Sequence, residues 1–102
     1  MKTLKTIVYC EGLFEEKVLR ALFRLGVQRV RVQNCDLRIS HTDQTQGFAG
    51  GLSEHHKSLE CIVSYELGQK IVALFQKDEW IPFDIEIVFY EVDWHWMPRK
   101  DA

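Results

Sequence analysis

The sequence lacks the features of several large protein classes. No stretch approaches the roughly 18 consecutive apolar residues that a membrane-spanning helix needs. It has no P-loop, no glycine-rich dinucleotide motif and no Ser/His/Asp or Cys/His arrangement for nucleophilic catalysis. The paired acids Glu15-Glu16 and Asp78-Glu79 lie at the ends of helical patterns, where solvated charges are ordinary. We therefore expect no direct membrane insertion and no enzyme.

The net charge is small, and the cysteines are few. The formal net charge of −2 and the isoelectric point near 6.1 give no global attraction to nucleic acid or to an anionic membrane, so we expect no nucleic-acid partner. Cys10, Cys35 and Cys61 lack CxxC spacing and lie inside strand patterns, which indicates buried free thiols in a reducing compartment. No signal peptide precedes the first strand pattern, and we expect a cytoplasmic protein.

The patterned segments indicate one domain over residues 1–102, of which 46% are hydrophobic. Strand patterns cover about 4–10, 28–39, 59–66 and 83–92, and a second helix ends near Asp78. The first helix shows one continuous apolar stripe and is followed by Gly26 as its stop. The stripe consists of Phe14, Val18, Ala21, Leu22 and Leu25. The order β-α-β-β-α-β predicts an α+β ferredoxin-like fold, with a four-stranded antiparallel sheet and two helices on one face.

Two details of the strands carry further expectations. The apolar phase changes within the second strand, which predicts a bulge or bend near Gln33 and Asn34. The fourth strand is apolar on both faces, with Val88, Tyr90 and Val92 opposite its core-facing residues. Because the helices cover only one face, a second subunit is expected on the other, and we predict a homo-oligomer.

A long segment over about 40–57 joins the second and third strands. Loops of this length in small domains are usually functional. Basic side chains and glycines at and near it suggest an anion site, since arginine binds phosphate or carboxylate bidentately and glycine lets backbone N–H groups turn toward a ligand. The candidate ligand-binding residues are Arg29, Arg31, Arg38, Gly47, Gly50, Gly51 and Lys57. Alternating arginines are equally expected as protection of an edge strand.

The same segment holds a candidate metal site at His41, His55 and His56, which His95 of a neighbouring subunit could join. Adjacent histidines in an extended segment point to opposite sides, so His55 and His56 need a local turn to share one ion. Solvated, unliganded histidines are the alternative. Trp80, Trp94 and Trp96 are interpreted as subunit-packing residues, because no basic stripe interleaves them.

Residues 16–32 form a helix pattern that ends in glycine, an aliphatic residue and glutamine before a valine-rich strand. This segment resembles the PII-like signalling proteins. The resemblance implies a homotrimer with a mobile T-loop at about 40–57 and a ligand between subunits that is a nucleotide, bicarbonate or a divalent metal. It implies a partner such as a membrane transporter. Residues 77–83 lack the glycines of the family's nucleotide phosphate loop, so the chain resembles divergent members.

Two alternatives from other classes stay open. One is a metal-handling protein that uses the loop histidines. The other is a small ferredoxin-like enzyme with a pocket over the sheet.

Overall fold

The computed structural model describes residues 3–39 and 52–98, which contain four strands and two α-helices. In chain order they are β1 (Thr3–Glu11), α1 (Glu15–Leu25), β2 (Arg31–Ile39), β3 (Leu52–Ser64), α2 (Tyr65–Phe75) and β4 (Glu86–Val92). Two 3₁₀ helices occupy Gly12–Phe14 and Asp78–Phe83. The strands form an antiparallel sheet in the order β2-β3-β1-β4, and both α-helices pack on one face. This is the predicted ferredoxin-like fold.

Helix α1 follows the predicted pattern. Its buried side chains are Val18, Ala21 and Leu22, all from the apolar stripe. Gly26 ends the helix with φ at +109°, a left-handed conformation that costs glycine little because it has no Cβ.

Helix α2 is fixed by a cap and by a close approach to the sheet. The Ser64 hydroxyl accepts a hydrogen bond from the Leu67 backbone N–H at 3.2 Å, which satisfies one of the free donors of the first turn. A Cβ added at Gly68 would lie 2.8 Å from the Leu4 Cδ1 atom, so a side chain here would have to displace the Leu4 side chain for α2 to lie as close to β1.

The core lies between the helices and one face of the sheet. Alternate residues of β1 and β3 point into it, as the period of two requires. Those that are buried include Leu4, Val8, Cys10, Leu59, Cys61 and Val63. On β4, Ile87 and Phe89 pack against this core, while Val88 and Tyr90 alternate with them on the face without helices. The two-faced pattern predicted for β4 is thus confirmed.

The predicted bulge at Gln33 and Asn34 is wrong. The pairing of β2 with β3 continues without a break from Arg31–Glu60 to Ile39–Leu52. The apolar phase changes because the surroundings of β2 change along its length. Val32 points toward the helices and packs on the core. Further along, β1 and its pairing with β3 end at Glu11 opposite His56, so the layered core no longer determines which residues of β2 are apolar. Beyond that point β2 and β3 continue as a two-stranded ribbon outside the layered part of the fold.

The boundaries around the long loop also differ from the prediction. Residues 52–57 were expected in the loop and belong to β3, because they pair with β2. Residues 40–51 lie outside the described residues. Strand β4 starts at Glu86, three residues later than expected, since Asp78–Phe83 forms a 3₁₀ helix that packs Trp80 into the core.

The sheet has two distinct ends. At the tail end, β4 stops at Val92 and the chain continues through residues 93–98, which we call the tail. At the loop end β1 leads into the first 3₁₀ helix, and the ribbon of β2 and β3 extends toward residues 40–51. Within the described ranges, neither helix is long and apolar enough to cross a membrane.

Candidate ligand-binding site

A cleft of about 920 Å³ opens at the tail end and is called the tail-end cleft below. Most of its lining comes from three segments: residues 26–31 between α1 and the start of β2, the last residues of β3, and residues 92–94 and 96 at and after the end of β4. Because β2 and β4 are opposite edges of the sheet, these segments meet only when the tail crosses the end of the sheet. The cleft is therefore a product of the strand order.

A contact between an arginine and a tryptophan joins the tail to the connection between α1 and β2. The Arg29 guanidinium Cζ lies over the Trp96 ring, 3.9 Å from its centre, which is a cation–π contact. Trp94 and Trp96 have ring centres 6.3 Å apart at an angle of 38°. Their side chains are 48% and 53% exposed, so two indoles with free surface border the cleft.

The cleft carries more positive than negative charge. Lys5, Arg29 and Arg31 line it, against Glu60 and Asp93. Lys5 Nζ lies 3.3 Å and Arg31 Nη1 3.8 Å from the same Glu60 oxygen, Oε1, so one carboxylate orients two cations. Arg31 remains 72% exposed, and much of its guanidinium is free to bind an added anion. An anionic group fits this arrangement better than a cation does.

The thiol at the wall of the cleft is protonated at neutral pH. Burial raises the pKa of Cys61 from 9.0 to about 11, and the neighbouring Glu60 carboxylate adds to the shift. Burial likewise raises the pKa of Cys10 to about 11, followed by the effect of Glu15. Both thiols are free and buried, as the sequence predicted, while Cys35 is only half-buried.

The predicted anion residues separate into two groups. Arg29 and Arg31 both line the tail-end cleft. Arg38 lies on the ribbon, seven positions along β2 from Arg31, a distance of roughly 23 Å in a strand. Lys57 lies at the loop end, where its ammonium contacts Asn34 Oδ1 and lies 3.4 Å from Glu15 Oε1. The candidates Gly47, Gly50 and Gly51 lie outside the described residues.

The candidate metal residues are likewise divided. His55 is exposed, with Nδ1 4.0 Å from an Asp36 oxygen, whereas the adjacent His56 is buried. Their alternation along β3 places them on opposite faces, as expected for an extended segment. Among residues 3–39 and 52–98, no group of three His, Cys, Asp or Glu side chains is placed to hold a metal ion. His41 lies outside the described residues, so a site that includes it stays a prediction.

Sequence reasoning missed several residues of the cleft. Lys5 and Glu60 lie within strand patterns and carry no motif. Trp94 and Trp96 were interpreted as subunit contacts because no basic stripe lies near them in sequence, yet the fold brings Arg29 onto Trp96. Trp80 belongs to the core of this chain, in contact with Phe75 and Phe83, which corrects its interpretation as a subunit contact.

No protein family profile and no curated protein matches the sequence. Solved structures do match. CPII of Thiomonas intermedia K12, a nitrogen regulatory PII-like protein bound to ADP, AMP and bicarbonate, shares 16% identity at a TM-score of 0.70. The match covers 90% of this chain and 91% of CPII.

Two further structures show the same likeness. A protein of Thermus thermophilus described as a putative PII-like signaling protein shares 23% identity at a TM-score of 0.65, over 89% of this chain and 86% of that one. GlnK of B. subtilis in complex with ATP shares 16% identity at a TM-score of 0.64, over 89% and 82% of the two chains. The strand order, the two helices and these matches over most of the chain agree, and the protein therefore has the PII-like fold.

Proposed function

We propose that this protein is a PII-like regulator that binds a small anionic ligand, a nucleotide, in the tail-end cleft. The observation that carries the proposal is the meeting of Lys5, Arg29 and Arg31 with two half-exposed indoles in one cleft. Two proteins of the same fold support the choice of ligand, since CPII was solved with ADP, AMP and bicarbonate and GlnK with ATP.

A nucleotide matches both halves of the cleft. Each of its phosphates presents two oxygens at once to the planar fork of a guanidinium group, and Arg31 is exposed and oriented by Glu60. Its base has an aromatic face, and base–aromatic stacking contributes about 1–3 kcal/mol per base. Trp94 and Trp96 offer such faces. Bicarbonate would use the cations and leave the indoles without a role, and a divalent metal would be repelled by the excess positive charge.

The assembly and the signal belong to the same proposal. The face of the sheet without helices carries apolar side chains, including Ile7, Val88, Tyr90 and Val92, which a homotrimer would cover. Ligand binding in the tail-end cleft, at a contact between subunits, would then change the loop between β2 and β3 through strand β2, which runs from Arg31 in the cleft toward that loop. The loop would engage a partner protein such as a membrane transporter. This is a change in population between two states of the loop, driven by the difference in ligand affinity between them. No catalysis is proposed, and the raised pKa of Cys61 keeps the one cysteine of the cleft lining protonated at neutral pH.

Calorimetric titration of the full chain with ATP, ADP, AMP and bicarbonate tests the proposal. We expect a nucleotide to bind and to change the fluorescence of Trp94 and Trp96. Replacing Arg29 and Arg31 together with alanine removes two charge-assisted contacts, so the dissociation constant should rise at least about tenfold. Arg24→Ala is the matched control, because Arg24 is an exposed arginine of α1 outside the cleft lining.

Three results would contradict the proposal. If no nucleotide binds, the ligand assignment fails, even where bicarbonate does bind. If the double variant binds as tightly as the unchanged chain, the site lies elsewhere. If light scattering gives the mass of a monomer, the trimer is excluded.

A further inference from the structure

The loop end of the molecule carries an exposed apolar surface that the proposed function does not use. Leu13 is 88% exposed and Ile81 67% exposed. They belong to different 3₁₀ helices, which meet where the rings of Phe14 and Phe83 lie edge to face with centres 4.5 Å apart. We call this surface the loop-end cap, and it consists of Leu13, Phe14, Ile81, Pro82 and Phe83.

Core residues and Lys17 fix the position of the cap. Trp80 is buried, with its ring centre 4.8 Å from that of Phe75 and 5.6 Å from that of Phe83. Lys17 Nζ lies 4.3 Å from the centre of the Phe83 ring and 5.3 Å from that of Trp80. The second 3₁₀ helix is therefore anchored to the core, and its exposed side chains need little ordering before they bind a partner.

Acidic residues flank the cap along the chain, and Glu15 among them is paired with Lys57. The two segments that carry it, residues 11–17 and 77–86, together contain seven acids and two lysines. The acids at Asp78, Glu79, Asp84 and Glu86 are all exposed. One of the lysines, Lys17, is already stacked on Phe83. An apolar centre with an acidic rim is complementary to a partner of opposite charge.

We infer that the loop-end cap is a docking surface for a basic segment of a partner protein. The segment that fits has an aliphatic or aromatic anchor to cover Leu13 and Ile81, flanked by lysine or arginine opposite the acidic rim. The acids disfavour an anionic membrane or nucleic acid at this surface. They also disfavour two caps packed against each other, since like charges would meet. No residue of the cap lines the tail-end cleft, so the inference does not depend on the proposed function.

Selection of a random 12-residue peptide library, displayed on phage, against the full chain tests the inference. We expect enriched peptides to share one apolar anchor with lysine or arginine beside it. A fluorescent synthetic copy of the most enriched peptide is then titrated with the chain, and its affinity should fall as salt rises, since the rim charges are exposed.

Three variants locate the peptide. Leu13→Ser combined with Ile81→Ser removes the anchors and should raise the dissociation constant at least about tenfold, as expected for central apolar contacts. Both side chains are largely exposed, so the fold should persist. Asp78→Asn with Glu79→Gln should weaken binding and reduce its salt dependence. Met97→Ser is the matched control, because Met97 is 84% exposed at the opposite end and should leave the affinity unchanged.

The following outcomes would overturn the inference. No enriched peptide, peptides without basic residues, or equal affinity for the Leu13/Ile81 variant would each do so. A change in the oligomer mass of that variant by light scattering would assign the cap to a contact between copies of the chain. Nucleotide titrations of the same variant show whether the cleft still binds, so the two proposals fail separately.

Discussion

The two ends of the sheet have opposite chemistry. The tail-end cleft is concave, bordered by indoles and richer in positive charge, whereas the loop-end cap is exposed, aliphatic and flanked by acids. Helix α1 shows part of the reason. It starts at the loop end with Glu15 and Glu16 in its first turn and ends at the tail end with Arg24 in its last. Acids are favourable at a helix N-terminus and bases at its C-terminus, so the helix dipole and the charge difference agree.

The ends also use tryptophan differently. Trp80 is 5% exposed and packs in the core under the loop-end cap, while Trp96 is 53% exposed and contacts Arg29. A buried indole contributes to stability through its contacts, and a half-exposed one is available to a ligand. The same residue type therefore supports the fold at one end and offers a binding surface at the other.

Replacing each tryptophan with alanine separates these roles and has the largest expected effect. Trp80→Ala should lower the free energy of unfolding by about 3–5 kcal/mol, because it leaves a cavity beside Phe75 and Phe83. Trp96→Ala should lower it by less than about 1 kcal/mol, as for a surface position. Urea denaturation measures both. Equal losses would show that Trp96 is a structural residue.

Alkaline pH should destabilise the protein through one thiol at each end. The folded state raises the pKa of Cys10 and of Cys61 from 9.0 to about 11, so folding favours the protonated thiols. Their contribution to stability is complete below pH 9 and is lost as pH rises through 11. Urea denaturation across this window should show a falling free energy of unfolding. Replacing both cysteines with alanine should flatten the fall, and an unchanged slope would contradict this account.

Removing the acid of the cleft should strengthen anion binding. Glu60→Gln frees Lys5 and Arg31 from a shared carboxylate, so the affinity for the nucleotide should rise about two- to fivefold at low salt, the range of an exposed ion pair. Glu86→Gln at the loop end is the control and should have no effect. Weaker binding by Glu60→Gln would mean that the orientation of Lys5 and Arg31 by Glu60 outweighs its competition with the ligand. Calorimetric titration distinguishes these results.

The smallest expected effect concerns the lysine at the loop-end cap. Lys17→Ala removes a cation from the faces of Phe83 and Trp80 and should lower the free energy of unfolding by about 0.5–1 kcal/mol. Lys70→Ala on α2 is exposed and serves as the control, with a change within about 0.5 kcal/mol. If the two variants are equal in urea denaturation, the stacked lysine does not stabilise the cap.

The elements whose apolar residues repeat with a regular helical or strand period were predictable from the sequence. Helix α1 and its stop at Gly26 follow from an apolar stripe and a glycine, and both faces of β4 follow from strict alternation. The start of β3 was not predictable in the same way. Residues 52–55 are stabilised as strand by pairing with β2 alone, beyond the end of β1, and this part of the sequence has no apolar period of its own.

The candidate site shows the same limit. The sequence supplied Arg29 and Arg31, because arginines beside an apolar strand pattern are visible locally. It could not place Arg38 and Lys57 away from them, and it could not supply Glu60 or Trp96. These positions are far apart in the chain, and no spacing rule joins them.

The sequence by itself determined the element order, the ferredoxin-like fold and the buried thiols, because hydrophobic periodicity acts between neighbours in the chain. Only the tertiary structure decided that the tail crosses from the β4 edge to Arg29 and that two 3₁₀ helices meet through Phe14 and Phe83. Both depend on the order β2-β3-β1-β4, which brings distant segments together at each end of the sheet. Local periodicity fixes which residues are buried, and strand order fixes which exposed residues become neighbours.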